Sequence, residues 1–246
     1  NRIYKLTLDA NGDIASVLDK RSGRELVQDG KAFRLAMFTE NKSTDWPAWE
    51  IWKETIDRAP EAVADDVVIS VAEQGPLRAT LKVSRRHGKS TFVQYISLTE
   101  GAADDRIDIR NEVDWQSENA LLKAEFPMSV SNPEAAYDLG LGYIRRGNNT
   151  PTAYEVYAQQ WADLTDRDGE YGVAVMNDCK YGWDKPDDHT LRLTLLHTPT
   201  PGRHYKYQSR QDIGRHVFTY SIVGHTGDPV AGRIASKAES LNQPLA

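Results

Sequence analysis

Turn residues punctuate this chain at hairpin-length intervals, and that spacing limits its fold more than any other feature. Leu77, Ala79, Leu81 and Val83 alternate with Arg78, Thr80, Lys82 and Ser84. A strict period of two reads as a half-buried strand. His87-Gly88-Lys89 turns the chain, and residues 91–98 return. Ile107, Ile109, Val113 and Trp115 then share one strand face, with Asp108, Arg110, Glu112 and Asp114 on the other. Asn111 falls on the apolar side, where its amide needs a partner, because an unpaired buried amide is costly. Similar runs occupy 33–38, 67–72, 121–130 and 215–224, and Leu191, Leu193 and Leu195 line one face of another. Near the start, strand 2–8 meets Asn11-Gly12 and 14–18 returns, a strong hairpin signal.

Roughly fourteen strand candidates and one helix, with no βαβ rhythm, argue for antiparallel sheets packed face to face. The expected fold is therefore all-β, a large antiparallel β-sandwich. Its 246 residues suit one sandwich domain, or a fragment of one. The chain opens inside an alternating strand, as a piece cut from something longer would.

Two segments break the rhythm. Residues 40–65 form a long insertion without alternation, carrying Trp46, Trp49 and Trp52. Such loops in compact domains are functional or disordered, and three tryptophans argue against disorder. A short helical turn would put the three indoles on one face. They would then either plug the open end of a sheet or stack on the C–H face of a pyranose, with Asp45 or Glu50 binding hydroxyls beside them. The second segment is a C-terminal helix over about 228–242, with Asp228 as its N-cap and Pro229 in its first turn. Gly140 and Gly142 read as bulges.

Most functional classes receive no support. The net charge of -6 points away from nucleic acid and anionic membranes. No apolar run approaches the ~20 residues that span a bilayer. Arg85-Arg86 and Arg145-Arg146 read as solvated strand faces. The lone Cys179 excludes an intrachain disulfide, leaves the compartment open, and reads as a mostly buried thiol. Histidines at 87, 189, 197, 204, 216 and 225 form no HxxxH or HxH pattern, so no metal site is signalled. Asn41-Lys42-Ser43 and Asn148-Asn149-Thr150 match the glycosylation sequon, a motif short enough to arise by chance.

The stretch 155–181 concentrates polar chemistry. Asp166-Arg167-Asp168-Gly169 makes a tight turn before a strand over 171–176, apolar on both faces. Asn177, Asp178, Lys180 and Tyr181 follow where it ends. Amide, carboxylate, amine and phenol together would suit a sugar; they would equally begin an ordinary loop.

Several segments then resemble one family in order: DWPAWEI at 45–51, VDW at 113–115, LLKAEFPMSV at 121–130, GYIRR at 142–146, QQWADLTD at 159–166, YGVAVMNDCKYG at 171–182, LRLTLL at 191–196, HVFTY at 216–220 and LNQPL at 241–245. Together they resemble the C-terminal β-sandwich region of the glycoside hydrolase family 38 α-mannosidases, bacterial type. The resemblance implies a galactose-mutarotase-like supersandwich. It also implies an accessory role in a retaining, zinc-dependent enzyme that hydrolyses α-mannosides. Zinc and the nucleophile would belong to an N-terminal catalytic domain of the same polypeptide, leaving no catalytic residue and no cofactor here. The chain alone would be inactive, and part of the β region would lie beyond residue 246. Asn177, Asp178, Lys180 and Tyr181 are then the first candidates for substrate contact, and Asp45, Trp46 and Trp49 the second. Two departures stand out: His197, where the family often has Arg, and the loop RHYKYQSRQD at 203–212. Two other readings stay open: a stand-alone carbohydrate-binding module, and a purely structural sandwich.

Overall fold

The computed structural model describes residues 1–101 and 105–243. Two antiparallel sheets pack face to face. The larger runs Tyr143–Gly147, Glu134–Asp138, Trp161–Thr165, Tyr171–Asn177, Gly214–Thr226, Ile107–Trp115, Ser90–Thr99, Arg78–His87 and Asp65–Gln74. The smaller runs Val156–Tyr157, Gly182–Asp184, Thr190–Thr198, Ala120–Pro127, Arg34–Thr39 and Glu61–Ala62. The N-terminal strands Tyr4–Leu8, Ile14–Asp19 and Arg24–Glu25 form a separate three-stranded sheet that feeds Tyr4, Ile14 and Val17 into the same core.

The period-two faces meet as expected. Ile109 and Val113 lie opposite Ile96 and Phe92 on one neighbouring strand and Tyr220 and His216 on the other. Phe126 of the smaller sheet meets Tyr220 edge-on at 5.5 Å, which joins the two inner faces. Asn111 is fully buried; its amide donates to Ile109 O and its oxygen accepts from Gln94 Nε2.

The Tyr171–Asn177 strand is buried at every residue. Val173 and Val175 enter the main core, while Ala174 and Met176 lie under Ile234 and Ala238 of the C-terminal helix. That helix covers the outer face of the larger sheet here, which explains a strand apolar on both sides.

Several expectations need correction. The helix spans Ile234–Asn242 and does not begin at 228. Asp228 caps a turn, accepting from Val230 N and Ala231 N, and the chain then reverses at Arg233, whose φ is +55°. Gly232 passes so close to the buried His225 ring that an added Cβ would sit 2.5 Å from Nδ1. Gly140 and Gly142 form a hairpin turn between Glu134–Asp138 and Tyr143–Gly147, closed by Leu139 N donating to Gly142 O, and are not bulges. Arg85 is not solvated: it is 3% exposed and bonds Asp13 and Gln94 in the interior. Asn41 of the first sequon is buried, with its amide held by Ala120 O.

Candidate functional site

The Trp-rich insertion splits into an inner and an outer half. Ile56 packs with Phe38, Ala36 and Leu121 on the outer face of the smaller sheet, with Ile51 beside it. This half covers a sheet face with isoleucines and does not plug an open sheet end with the indoles, as the plug reading expected. Trp46 and Trp49 stay outside, 51% and 84% exposed, and stack on each other at 5.5 Å with planes 12° apart. The three indoles do not share one helical face: the one-turn helix Lys53–Ile56 starts after Trp52, which is half-buried. Asp45 is exposed beside the stack, and Glu50 accepts from Ser43 Oγ.

A second loop completes this surface. Thr200–Pro201 pairs in parallel with Lys42–Ser43, Gly202 N donates to Thr44 O, and Gln211 Nε2 donates to Pro47 O. The following 3-10 turn, Arg203–Gln208, brings the Tyr205 ring 6.1 Å from Trp46, and Tyr207 6.4 Å from Tyr205. Trp46, Trp49, Tyr205 and Tyr207 thus make one aromatic surface from segments far apart in sequence.

The turn after Asn177 is tied down by the backbone. Asn177 is buried; its side-chain oxygen accepts from Lys180 N, and its backbone oxygen from Asn242 Nδ2. Its Nδ2 lacks a partner. Asp178 and Thr219 exchange two bonds, with Thr219 N donating to Asp178 Oδ2. Lys180 Nζ lies 4.7 Å from the centre of the Phe218 ring. Tyr181 is 56% exposed, and its backbone oxygen accepts from Ala158 N. Cys179 is exposed, contrary to the buried thiol expected, because it follows the strand's last buried residue. Partial burial of the sulfur and its hydrogen bond to Asp178 push the thiol up to about 11, which leaves almost no thiolate at neutral pH. Among the described residues, no hydrogen bond, ion pair or ring contact joins this turn to the aromatic surface.

Sequence reasoning missed the polar interior beneath. Lys123, with no exposed side-chain surface, donates to Glu155, Asp184 and Thr194. Arg192 also holds Asp184 and donates to Ile56 O. Burial alone would raise the Asp184 carboxyl, but Lys123 and Arg192 outweigh it and hold it below the usual range. Burial pushes His197 down to about 4, although Asp212 opposes the shift. The one available signal was a lysine inside the apolar run LLKAEF. Among the described residues, no three His, Cys, Asp or Glu side chains are grouped to hold a metal ion. Nor is any helix among them long and apolar enough to cross a membrane.

Residues 1–202 match the family described as glycosyl hydrolases family 38 C-terminal domain. The chain belongs to that family. Alpha-mannosidase 2C1 of Mus musculus is 29% identical over 100% of the chain, and alpha-mannosidase G of Dictyostelium discoideum is 28% identical over 98%. This family 38 domain spans only 23% and 22% of those two proteins. An alpha-mannosidase structure from Enterococcus faecalis superposes on 99% of the chain with a TM-score of 0.79 at 13% identity, using 31% of its own length. A galactose mutarotase-like protein from Lactobacillus casei covers 92% with a TM-score of 0.50 at 10% identity. The sandwich class expected from the strand pattern is therefore found.

Proposed function

We propose that residues 1–246 act as one accessory sandwich of a retaining, zinc-dependent α-mannosidase that hydrolyses α-mannosides in glycans, and that they help to shape its substrate cleft. The observation that carries this reading is alignment along the full chain with α-mannosidases of which it spans less than a quarter. In this reading, which follows the family resemblance, the metal and the carboxylate nucleophile belong to an N-terminal catalytic domain of the same polypeptide; among the described residues no three His, Cys, Asp or Glu side chains are grouped to hold a metal ion.

Its contribution is contact and shape. An exposed indole stack suits the C–H face of a pyranose, with Asp45 placed to accept from hydroxyls. The Asn177–Tyr181 turn would contribute Lys180 and Tyr181, while Asn177 and Asp178 hold it in place. The exposure of Trp49 also supports a second reading, a stand-alone carbohydrate-binding module. In either case the isolated chain is inactive. The test is hydrolysis of an aryl α-mannoside by the purified chain, with and without zinc. No turnover above buffer is expected, and zinc-dependent turnover would overturn this division of labour.

A further inference from the structure

We propose that the surface formed by Trp46, Trp49, Tyr205 and Tyr207 binds a glycan carrying a phosphate or carboxylate group, with Arg203 and Lys206 as the anion's partners. This deepens the sugar-stacking reading of Trp46 and Trp49 and rests on it. The tyrosines come from a turn whose charge is opposite to that of the molecule. The chain carries -6 overall, yet 203–210 contains Arg203, His204, Lys206 and Arg210 and no acidic residue. Arg203, His204, Lys206 and Arg210 are exposed, and no side-chain hydrogen bond or ion pair engages any of them among the described residues. Unpaired cations flank the exposed Tyr207 ring and the half-buried Tyr205 ring, and a neutral sugar would leave their charge without a counterpart.

The geometry supports one occupant touching both loops. Trp46 contacts both Trp49, in its own loop, and Tyr205, in the other. An added Cβ at Gly202 would sit 2.1 Å from Thr44 O, so the loops are in backbone contact where the surface is assembled. A sugar ring stacked on an exposed indole would lie beside the 203–206 turn. An anionic substituent would favour that side and avoid Asp45. Arg203 offers a planar fork suited to phosphate or carboxylate, and Lys206 a point charge.

The test uses the 246-residue chain and tryptophan fluorescence. The probes are methyl α-mannoside, mannose 6-phosphate, glucuronic acid and a short single-stranded oligonucleotide. The two anionic sugars are expected to bind about tenfold more tightly than methyl α-mannoside at low salt. That preference should shrink as salt rises. Binding of only one of the two would support the proposal and identify the anion. The double variant Arg203→Gln/Lys206→Gln should lose the preference and keep the neutral sugar, whereas Trp49→Ala should weaken all three. Equal affinity for neutral and charged sugars would overturn the proposal while leaving the stacking reading intact. No response to any sugar would overturn both. Tighter binding of the oligonucleotide than of either sugar would overturn it in favour of a general polyanion surface.

Discussion

Lys123 has no exposed side-chain surface, and its ammonium is bonded by Glu155, Asp184 and Thr194. Replacing it with methionine keeps the stem and removes the charge that Asp184 faces. Breaking a buried ion pair completely costs about 3–5 kcal/mol; here Asp184 keeps Arg192 and loses one of its two cations, so the loss falls below that full cost. Lys123→Met should lower the urea midpoint accordingly; an unchanged midpoint would show that the cluster adds nothing to stability. His197 predicts a pH dependence. Folded, it protonates only near pH 4; unfolded, near its ordinary 6.5. Between those values the unfolded chain binds more protons, so stability falls as pH drops from 6.5 toward 4. This group can remove up to about 3 kcal/mol there and nothing further below. Denaturation curves at pH 7 and pH 4.5 should converge for His197→Gln relative to the parent chain.

Strands were the legible elements, because a residue's facing follows from counting by two. Ile107–Trp115 keeps its alternation residue by residue. Start signals were less dependable: Asp228 makes the same capping bonds in a turn as at a helix N-terminus, and the left-handed Arg233 that breaks the turn from the helix gives no sequence signal. Arg85 was misread because adjacent arginines take opposite faces of a strand, and one of those faces is the core. Half of the aromatic surface could be read from the Trp spacing. Tyr205 and Tyr207 could not, since their place depends on pairing between residues 200–201 and 42–43. That pairing gives a prediction at the scale of the two loops. Gly202→Ala inserts a methyl against Thr44 O and forces the loops apart. Overpacking of this kind costs about 1–3 kcal/mol. The variant should melt earlier and lose sugar-induced quenching of tryptophan fluorescence, although Gly202 carries no side chain of its own. Unaltered quenching would mean the insertion positions Trp46 and Trp49 unaided.

The sandwich as a whole leaves both flanks of its larger sheet bare. At one end Asp65–Gln74 is exposed on both faces, with Val68 and Val71 near 60%, and Leu77 follows in the turn. At the other, Leu141, Tyr143 and Ile144 are exposed. A long edge strand with free backbone groups is a template for pairing with another chain. Two irregularities in register, between Asp65 and Val68 and between Val71 and Glu73, distort this edge. Its charge opposes self-pairing as well: two copies joined antiparallel about Ile69–Ser70 would bring Asp65 and Asp66 toward Glu73 of the partner strand. Salt screens that repulsion and leaves the apolar attraction in place. Association of the 246-residue chain should therefore rise with salt, the reverse of its proposed glycan preference. Sedimentation at increasing concentration should show this. Val68→Lys/Val71→Lys should keep the chain monomeric in high salt, with stability changed by no more than about 0.5 kcal/mol, since both side chains already face water. Equal association of the variant and the parent chain would move the sticky surface to the Leu141–Ile144 flank, where Ile144→Lys is the corresponding change.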